Sequence, residues 1–214
     1  MLSLSLFCSS QRISVALYDK RKLRNFFHKE ITKTGVESIF KLVERCLKNE
    51  NTKNLSNIFF SNGPGSFTAL RSIKSIAEAL SLSTSAKVLA VSSFAPLLLN
   101  QEGNYSNTIV CIKSLKGKSF FQLYTKKENF FSEKSILFHG DIQEVQNFYI
   151  KNKKQIKNLN LVTDDKNSLE MLNKKIKDVF VYPLSAKRIA EVCFLGYGSS
   201  KLDITYHSSY YENL

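Results

Sequence analysis

A glycine-rich segment between two contrasting patterns constrains the fold of this chain more than any other feature. The segment holds two of the eight glycines and one of the three prolines, and it reads Ser61-Asn62-Gly63-Pro64-Gly65-Ser66-Phe67-Thr68-Ala69-Leu70-Arg71. The apolar run 55–60 precedes it, and the run 69–82, with helical spacing, follows it. The pattern predicts a strand that turns abruptly into a helix, which is where α/β proteins place ligands and partners.

Length and composition exclude several classes of protein. The 214 residues are 43% hydrophobic, which is enough for one large domain or two small ones. No apolar run approaches the roughly 20 residues that span a bilayer, and the N-terminus lacks the early positive charge of a signal peptide. No Cys-x-x-Cys pair occurs among the four cysteines, which are Cys8, Cys46, Cys111 and Cys193. We therefore expect a cytoplasmic protein with buried thiols and no membrane contact.

The net charge of +13 has two explanations. Residues 1–100 carry 14 Lys and Arg against 6 Asp and Glu, and residues 101–214 carry 17 against 12, so the excess is spread over both halves. A basic protein attracts nucleic acid or an acidic partner. The composition, rich in Lys, Asn, Ile and Phe, is also what a biased genome produces. Charge alone leaves both explanations open.

The first hundred residues read as a meander followed by crossovers. Leu and Ser alternate over 2–7, which predicts a half-buried strand, and Thr34 with Glu37 predicts a capping box for the first helix. The predicted elements are strands at 2–7, 13–17 and 23–31, a helix at 36–48, a strand at 55–61, a helix at 69–82, a strand at 88–91 and a helix from Ser92 or Ser93 through Leu99.

The second half repeats this order of elements. After a candidate linker at 100–107, the predicted elements are strands at 108–113, 118–125 and 131–138, a helix at 141–152, a strand at 159–163, a helix at 168–175, a strand at 179–182 and a helix at 185–195. Three strands again precede an alternating series. The pattern favours two related α/β domains, 1–100 and 101–214.

The glycine loop has two interpretations. Gly63 and Gly65 allow backbone angles closed to other residues, Pro64 stiffens the turn, and the hydroxyls of Ser66 and Thr68 can cap the helix. An anion could bind at such a helix start, although the loop ends in no Gly-Lys-Ser/Thr sequence. Alternatively the loop is a tight, capped turn without a ligand.

The helix 69–82 could serve as an interface. It is rich in Ala and Ser, and small residues allow another helix to approach closely. The helix 36–48 could lie beside it and share an exposed face. The competing interpretation is that both helices simply pack on the sheet.

Catalytic signals elsewhere are weak. The histidines His28, His139 and His207 are isolated, so no metal site is predicted. The pair Asp164-Asp165, beside Lys166 and Asn167, is interpreted as a solvated turn. Cys8 at a strand end has no candidate base in its neighbourhood of the sequence, so a buried thiol is expected rather than a nucleophile.

Four segments carry a resemblance to one protein family. They are Gly63–Arg71, Ala90–Phe94, Tyr182–Ala186 and, loosely, Tyr210–Asn213. In these segments the chain resembles the TsaB (YeaZ) family of bacterial tRNA threonylcarbamoyladenosine biosynthesis proteins. Residues 1–100 match in order and spacing, and the second half matches mainly in the order of its elements.

The resemblance implies a fold and a function. The fold would be the actin-like/Hsp70-like ATPase fold (ASKHA, ribonuclease H-like), with two related α/β domains built on mixed sheets. The chain would be a non-catalytic scaffold for a TsaD-type catalytic subunit, joined by a TsaE-type ATPase. The complex would modify the adenosine beside the tRNA anticodon. The chain itself would hold no cofactor, the partner subunits would use ATP and magnesium, and alone it could form a homodimer.

Two sets of site residues are predicted, the first from the resemblance and the second from the chemistry of the loop itself. Partner binding through the first two helices would involve Val36, Ile39, Phe40, Val43, Leu70, Ile73 and Ala77. The glycine loop, as a possible ligand site, would involve Gly63, Pro64, Gly65, Ser66, Phe67, Thr68 and Arg71. No catalytic or metal-binding residue is implied.

Two departures from the family pattern argue against an independent nucleotide site. Phe7 stands where the family has an Asp, which in ATP-using relatives helps to hold the metal and phosphate. Lys113-Ser114-Leu115 stands where the family often has Asp-Ala-Arg. An ATP-dependent enzyme of the sugar-kinase type remains the alternative, and a glycoprotease-like peptidase a more remote one.

Overall fold

The computed structural model describes residues 1–9, 12–30, 36–99, 105–128, 130–173 and 176–205. The chain divides into two compact units, in which Met1–Pro96 joins Leu184–Thr205 and Leu97–Pro183 forms the core of the second. The predicted division after residue 100 is therefore wrong for Leu184–Thr205. The capping box at Thr34 and the C-terminal motif 210–213 lie outside the described residues, as do residues 100–104 of the predicted linker.

The first unit is built on a five-stranded mixed sheet. Its elements are β1 (Leu2–Cys8), β2 (Arg12–Asp19), β3 (Lys22–Glu30), α1 (Val36–Leu47), a short 3-10 helix (Thr52–Asn54), β4 (Leu55–Ser61), α2 (Phe67–Thr84) and β5 (Lys87–Val91). The strand order is β3-β2-β1-β4-β5. The first three strands pair antiparallel, whereas β4 runs parallel to both β1 and β5. This is a meander continued by crossovers, as the sequence predicted.

The second unit repeats that plan. After α3 (Ala95–Leu99), its described elements are β6 (Asn107–Lys113), β7 (Lys118–Lys127), β8 (Phe130–Glu133), β9 (Phe138–Asp141), α4 (Ile142–Lys153), β10 (Leu159–Thr163), α5 (Lys166–Asn173) and β11 (Val179–Val181). The next helix along the chain, α6 (Ala186–Phe194), belongs to the first unit. The sheet order is β11-β10-β6-β7-β8, with β9 also on β7. Since β6 and β7 are antiparallel and β6, β10 and β11 are parallel, the duplicated order is confirmed.

One predicted strand is divided in two. The sequence predicted a continuous strand over 131–138, whereas β8 pairs with one end of β7 and β9 with the other. Between them, the Ser135 hydroxyl accepts the backbone N–H of Leu123 at 3.0 Å, and the Ser135 carbonyl accepts from the Gln122 side chain at 2.9 Å. These contacts replace regular strand pairing at that point.

The central strand β1 is buried on both faces, so the prediction of a half-buried strand is wrong. Leu2, Leu4 and Leu6 belong to the core that α1 and α2 cover. Ser5 points the other way, and its hydroxyl donates to the Ala186 carbonyl at 2.7 Å. The Ala186 N–H donates to the Ser14 hydroxyl at 2.8 Å. The start of α6 is thus bonded to the middle of the first sheet.

Aromatic packing fixes the other end of α6. The Phe194 ring lies edge-on to Tyr18, with centroids 5.2 Å apart, and edge-on to Phe59, at 5.4 Å. These contacts cover the second face of the sheet with apolar area. They explain why Leu184–Thr205, though late in the sequence, belongs to the first unit.

We expect Ser14→Ala to lower the free energy of unfolding by about 1–3 kcal/mol, because it leaves the buried Ala186 N–H without an acceptor. Chemical denaturation of the purified chain measures this. The matched control is Ser75→Ala, at an exposed position of α2, which should change stability by no more than about 0.5 kcal/mol. Equal effects of the two changes would contradict the assigned role of Ser14.

Candidate partner interface and glycine loop

Helices α1 and α2 lie side by side on one face of the first sheet. They contact each other as well as the strands beneath them. Their apolar residues join the leucines of β1 in a single cluster. The helices therefore form one continuous layer, as the interface hypothesis required.

Most of the predicted interface residues point into that layer. The buried side chains are Ile39, Val43, Leu70, Ile73 and Ala77. A side chain in the core of its own unit offers almost no area to a partner, so burial disfavours these five as contact residues. Phe40 is 56% exposed, and Val36 begins α1 with a side chain outside the described part of the structure. Most of the residues predicted for the interface therefore lie on the inward faces of the two helices.

The outward face of α2 carries the small residues in which the interface hypothesis originated. Ser75 and Ala79 are exposed, between Arg71 at one end and Leu82, 89% exposed, at the other. Positions 71, 75, 79 and 82 recur at three- and four-residue spacing, which places them on one stripe. Helical periodicity counted from the buried positions 70, 73 and 77 could have found this stripe from the sequence.

The glycine loop is held by backbone bonds to two neighbouring segments of the first unit. The Ser93 N–H donates to the Gly63 carbonyl at 2.7 Å, and the Thr205 N–H donates to the Asn62 carbonyl at 2.8 Å. The Asn62 side chain donates to the Asp203 carbonyl at 2.9 Å. Gly63 has φ +111°, and a Cβ there would lie 2.7 Å from the Thr205 carbonyl oxygen. Glycine is required by both backbone angle and space.

The start of α2 is capped less fully than predicted. Ser66 occupies the N-cap position but makes no side-chain capping bond. Thr68 lies in the first turn, and its carbonyl accepts the Ser72 hydroxyl at 2.7 Å. The Arg71 guanidinium lies 4.0 Å from the centroid of the Phe67 ring, which stacks this cation beside the loop. Pro64 is buried, and Gly65 is half-buried.

The carboxylates Asp164 and Asp165 form a buried junction of the second unit, so their interpretation as a solvated turn is wrong. The Asp164 carboxylate accepts the Lys113 N–H at 2.9 Å, and the Lys113 ammonium pairs with Asp165 at 3.1 Å. Burial alone would raise the pKa of Asp165, but hydrogen bonds from Ser168 and the charge of Lys113 hold the pKa below its usual value. Both carboxylates connect β10 to the end of β6.

The position expected of a nucleotide-binding carboxylate has no oxygen ligand. Phe7 is buried within β1, opposite Ser14 of β2. Within the described ranges, no three His, Cys, Asp or Glu residues lie close enough to hold a metal ion.

No helix in the described part of the chain is long and apolar enough to cross a membrane.

All four cysteines are free and buried, which confirms the expectation of buried thiols. Burial raises the pKa of the Cys8 thiol to about 12, and it raises the pKa values of Cys46, Cys111 and Cys193 to about 12 as well. A thiol with so high a pKa is not a nucleophile at neutral pH.

Solved structures with the same fold support the class of protein. YeaZ from Pseudomonas aeruginosa superposes with a TM-score of 0.69 at 16% identity, covering 96% of this chain and 99% of that one. An inorganic polyphosphate/ATP-glucomannokinase from Arthrobacter sp. strain KM gives a TM-score of 0.52 at 8% identity, covering 91% and 99%. At such identities the likeness shows the fold alone. The chain has the actin-like ATPase (ASKHA) fold, as predicted.

Sequence comparison then gives the family. Residues 29–114 match the family model described as TsaD, tRNA N6-adenosine threonylcarbamoyltransferase. The tRNA threonylcarbamoyladenosine biosynthesis protein TsaB of Buchnera aphidicola subsp. Acyrthosiphon pisum (strain APS) is 30% identical over an alignment of 195 residues, which covers 87% of this chain and 85% of that protein. This chain belongs to the TsaB family of tRNA threonylcarbamoyladenosine biosynthesis proteins.

We expect Gly63→Ala to destabilise the first unit by about 3 kcal/mol or more, because it adds backbone strain to a collision with the Thr205 carbonyl. The control is Gly117→Ala, where φ is also positive, at +72°, but no atom lies within 4 Å of the added Cβ. The free energy of unfolding of that variant should fall by only about 1 kcal/mol. Thermal and chemical denaturation compare them, and an equal loss would refute the close approach at Gly63.

We expect the buried thiols to make the protein less stable at alkaline pH. Thiols of the unfolded chain titrate near pH 8.5, whereas that of Cys8 has its pKa raised to about 12 on folding. The unfolded state therefore releases protons first as pH rises. Below about pH 8.5 the thiols do not reduce the free energy of unfolding. Above that pH, each buried thiol lowers it by about 1.4 kcal/mol per pH unit, up to the pKa of the thiol in the folded protein.

The comparison of wild type with Cys8→Ala isolates one thiol. Between about pH 9 and 10.5, the slope of unfolding free energy against pH should be shallower in the variant by the contribution of one thiol, about 1.4 kcal/mol per pH unit. Titration of lysines and tyrosines cancels in the comparison. Identical slopes would mean that Cys8 is not buried as described.

Proposed function

We propose that this chain is a non-enzymatic accessory subunit in tRNA threonylcarbamoyladenosine synthesis, which binds a TsaD-type catalytic subunit. The interface is the outward face of α1 and α2, defined by Phe40, Arg71, Ser75, Ala79 and Leu82. The observation that carries the proposal is this exposed stripe of small residues, ended by an almost fully exposed leucine, in a member of the TsaB family.

The chemistry of the stripe suits a partner helix. Ser75 and Ala79 project little from the α2 backbone, so another helix can pack closely there. Leu82 and Phe40 offer apolar area at the sides, since both are exposed. Burying two large side chains contributes about 3–6 kcal/mol of hydrophobic free energy, before the cost of association. In the isolated chain the same stripe could pair with a second copy.

Three features support a role without chemistry of its own. Phe7 offers no oxygen to a metal-bound phosphate, Cys8 carries a proton at neutral pH, and Asp165 is engaged by Lys113 and Ser168. On this proposal, ATP and magnesium act in the partner subunits, a TsaE-type ATPase joins the pair, and tRNA is bound by the whole complex. We expect the complex in the cytoplasm.

We expect Ala79→Arg to weaken binding of a TsaD-type subunit at least about tenfold, because the long charged side chain prevents close helix packing. Calorimetry and co-elution measure binding, and a threonylcarbamoyl transfer assay on tRNA measures the consequence. The control is Leu195→Arg, at an exposed position just after α6. Ala77→Arg is uninformative here, since Ala77 is 0% exposed and the change disrupts the core.

Two results would contradict the proposal. Unchanged co-elution of Ala79→Arg would exclude this face as the interface. Full transfer by the other subunits without this chain would exclude the accessory role. Tight binding of Mg-ATP to the isolated chain, measured by calorimetry, would instead favour a kinase-type enzyme.

A further inference from the structure

A cationic and aromatic surface lies on the opposite side of the first sheet from α1 and α2. It consists of Lys20 and Arg21 in the β2–β3 turn, Phe26 and His28 on β3, and Lys187 on α6, and we call it the turn–helix surface. Its position follows from strand alternation, because Phe26 pairs with Ala16 on the α6 side, whereas Phe27 packs with α1.

The turn projects its basic residues away from the sheet. Lys20 and Arg21 both have positive φ, at +47° and +70°, which is the geometry of a two-residue hairpin turn. Both side chains are exposed. The Arg21 guanidinium nevertheless leans over the Phe194 ring, 5.7 Å from its centroid, which holds it on the α6 side.

The second cation is held in the same manner. The Lys187 ammonium lies 4.5 Å from the centroid of the Phe26 ring. The His28 ring stacks on Phe26 with centroids 5.5 Å apart and planes 22° from parallel. Because Lys187 and Phe194 are seven residues apart on α6, the two anchored cations are separated by about 10 Å along the helix.

Two carboxylates near this surface, Asp19 and Glu191, are already engaged, whereas Glu30 at the end of β3 is exposed. Asp19 pairs with the N-terminal ammonium at 3.3 Å and with Arg24 at 3.6 Å. Glu191 pairs with Arg188 at 2.9 Å. Among the described residues, no ion pair joins Lys20, Arg21 or Lys187 to a carboxylate. The surface therefore keeps three positive charges for an external anion.

We propose that the turn–helix surface binds the ribose-phosphate backbone of the tRNA substrate. Lys20, Arg21 and Lys187 contact phosphates, and the exposed His28 ring, stacked on Phe26, adjoins an unpaired base. Cations beside an exposed aromatic stack are typical of RNA recognition, whereas a lipid surface needs only the charge. The inference rests on the proposed function, in that tRNA is the substrate of the complex. Since α1 and α2 cover the other face of the sheet, partner and tRNA can bind together.

The test uses the complex of this chain with its TsaD-type subunit and a tRNA that carries adenosine beside the anticodon. The variant Lys20→Gln/Arg21→Gln/Lys187→Gln is compared with Lys151→Gln/Lys154→Gln/Lys157→Gln, which removes three exposed charges from the second unit. The dissociation constant for tRNA is measured at several salt concentrations.

We expect the turn–helix variant to reduce the slope of log affinity against log salt by about 2, since each phosphate that a cation neutralises contributes about 0.7–0.9. Affinity at 0.1 M salt should fall about fivefold for each phosphate that is no longer neutralised. The control should show a clearly smaller change. Equal changes in the two variants would mean a general charge effect and would overturn the proposal.

Two further readouts separate this inference from the proposed function. Both variants should co-elute with the catalytic subunit as the wild type does, and failure of the wild type to co-elute would refute the proposed function itself. Loss of binding to phosphatidylglycerol vesicles, with unchanged tRNA affinity, would assign the surface to a membrane and overturn the RNA proposal alone.

Discussion

The burial of β1 on both faces is the constraint on which the first unit depends. Its leucines need a cover of helices on one side, and α1 and α2 supply it. Its serines need hydrogen-bond partners on the other side, because a buried hydroxyl without one costs free energy. Ser5, with Ser14 of β2, finds them in the backbone of Ala186. The end of the chain must therefore return to the first sheet, and the unit cannot be built from residues 1–100 alone.

This division of the sheet into two faces also separates the two surfaces to which we assign functions. One side of α2 is buried in the core, so only its outer stripe is available to the proposed catalytic partner. The glycine loop fixes the direction of that helix, because Gly63 is bonded to Ser93 and approached by Thr205. On the far side, α6 with the β2–β3 turn presents cations held over aromatic rings. On the proposed function, this separation would let one subunit contact a protein and a nucleic acid without competition between them.

Local patterns predicted much of this. Period-two alternation and helical spacing located the strands and helices, and the glycine loop located the strand-to-helix turn. The same patterns failed where partners distant in sequence decide the outcome. Ser135 interrupts a predicted strand by bonding to β7, and Asp164 and Asp165 are buried because Lys113 of another strand meets them. The candidate interface residues include side chains such as Ala77 that lie in the core, because amphipathic spacing marks an apolar face without stating what covers it.

The sequence by itself determined the order of elements, the duplication of the α/β plan, the need for glycine in the loop and the absence of a carboxylate at Phe7. These follow from backbone angles and side-chain chemistry that act within a few residues. The tertiary structure decided which face of each helix is free, which polar residues of β1 and β10 are buried, and that Lys187 meets Phe26 and Arg21 meets Phe194. Those outcomes depend on interactions between residues far apart in the chain, and no local pattern specifies which distant segment satisfies a buried polar group or covers an apolar face.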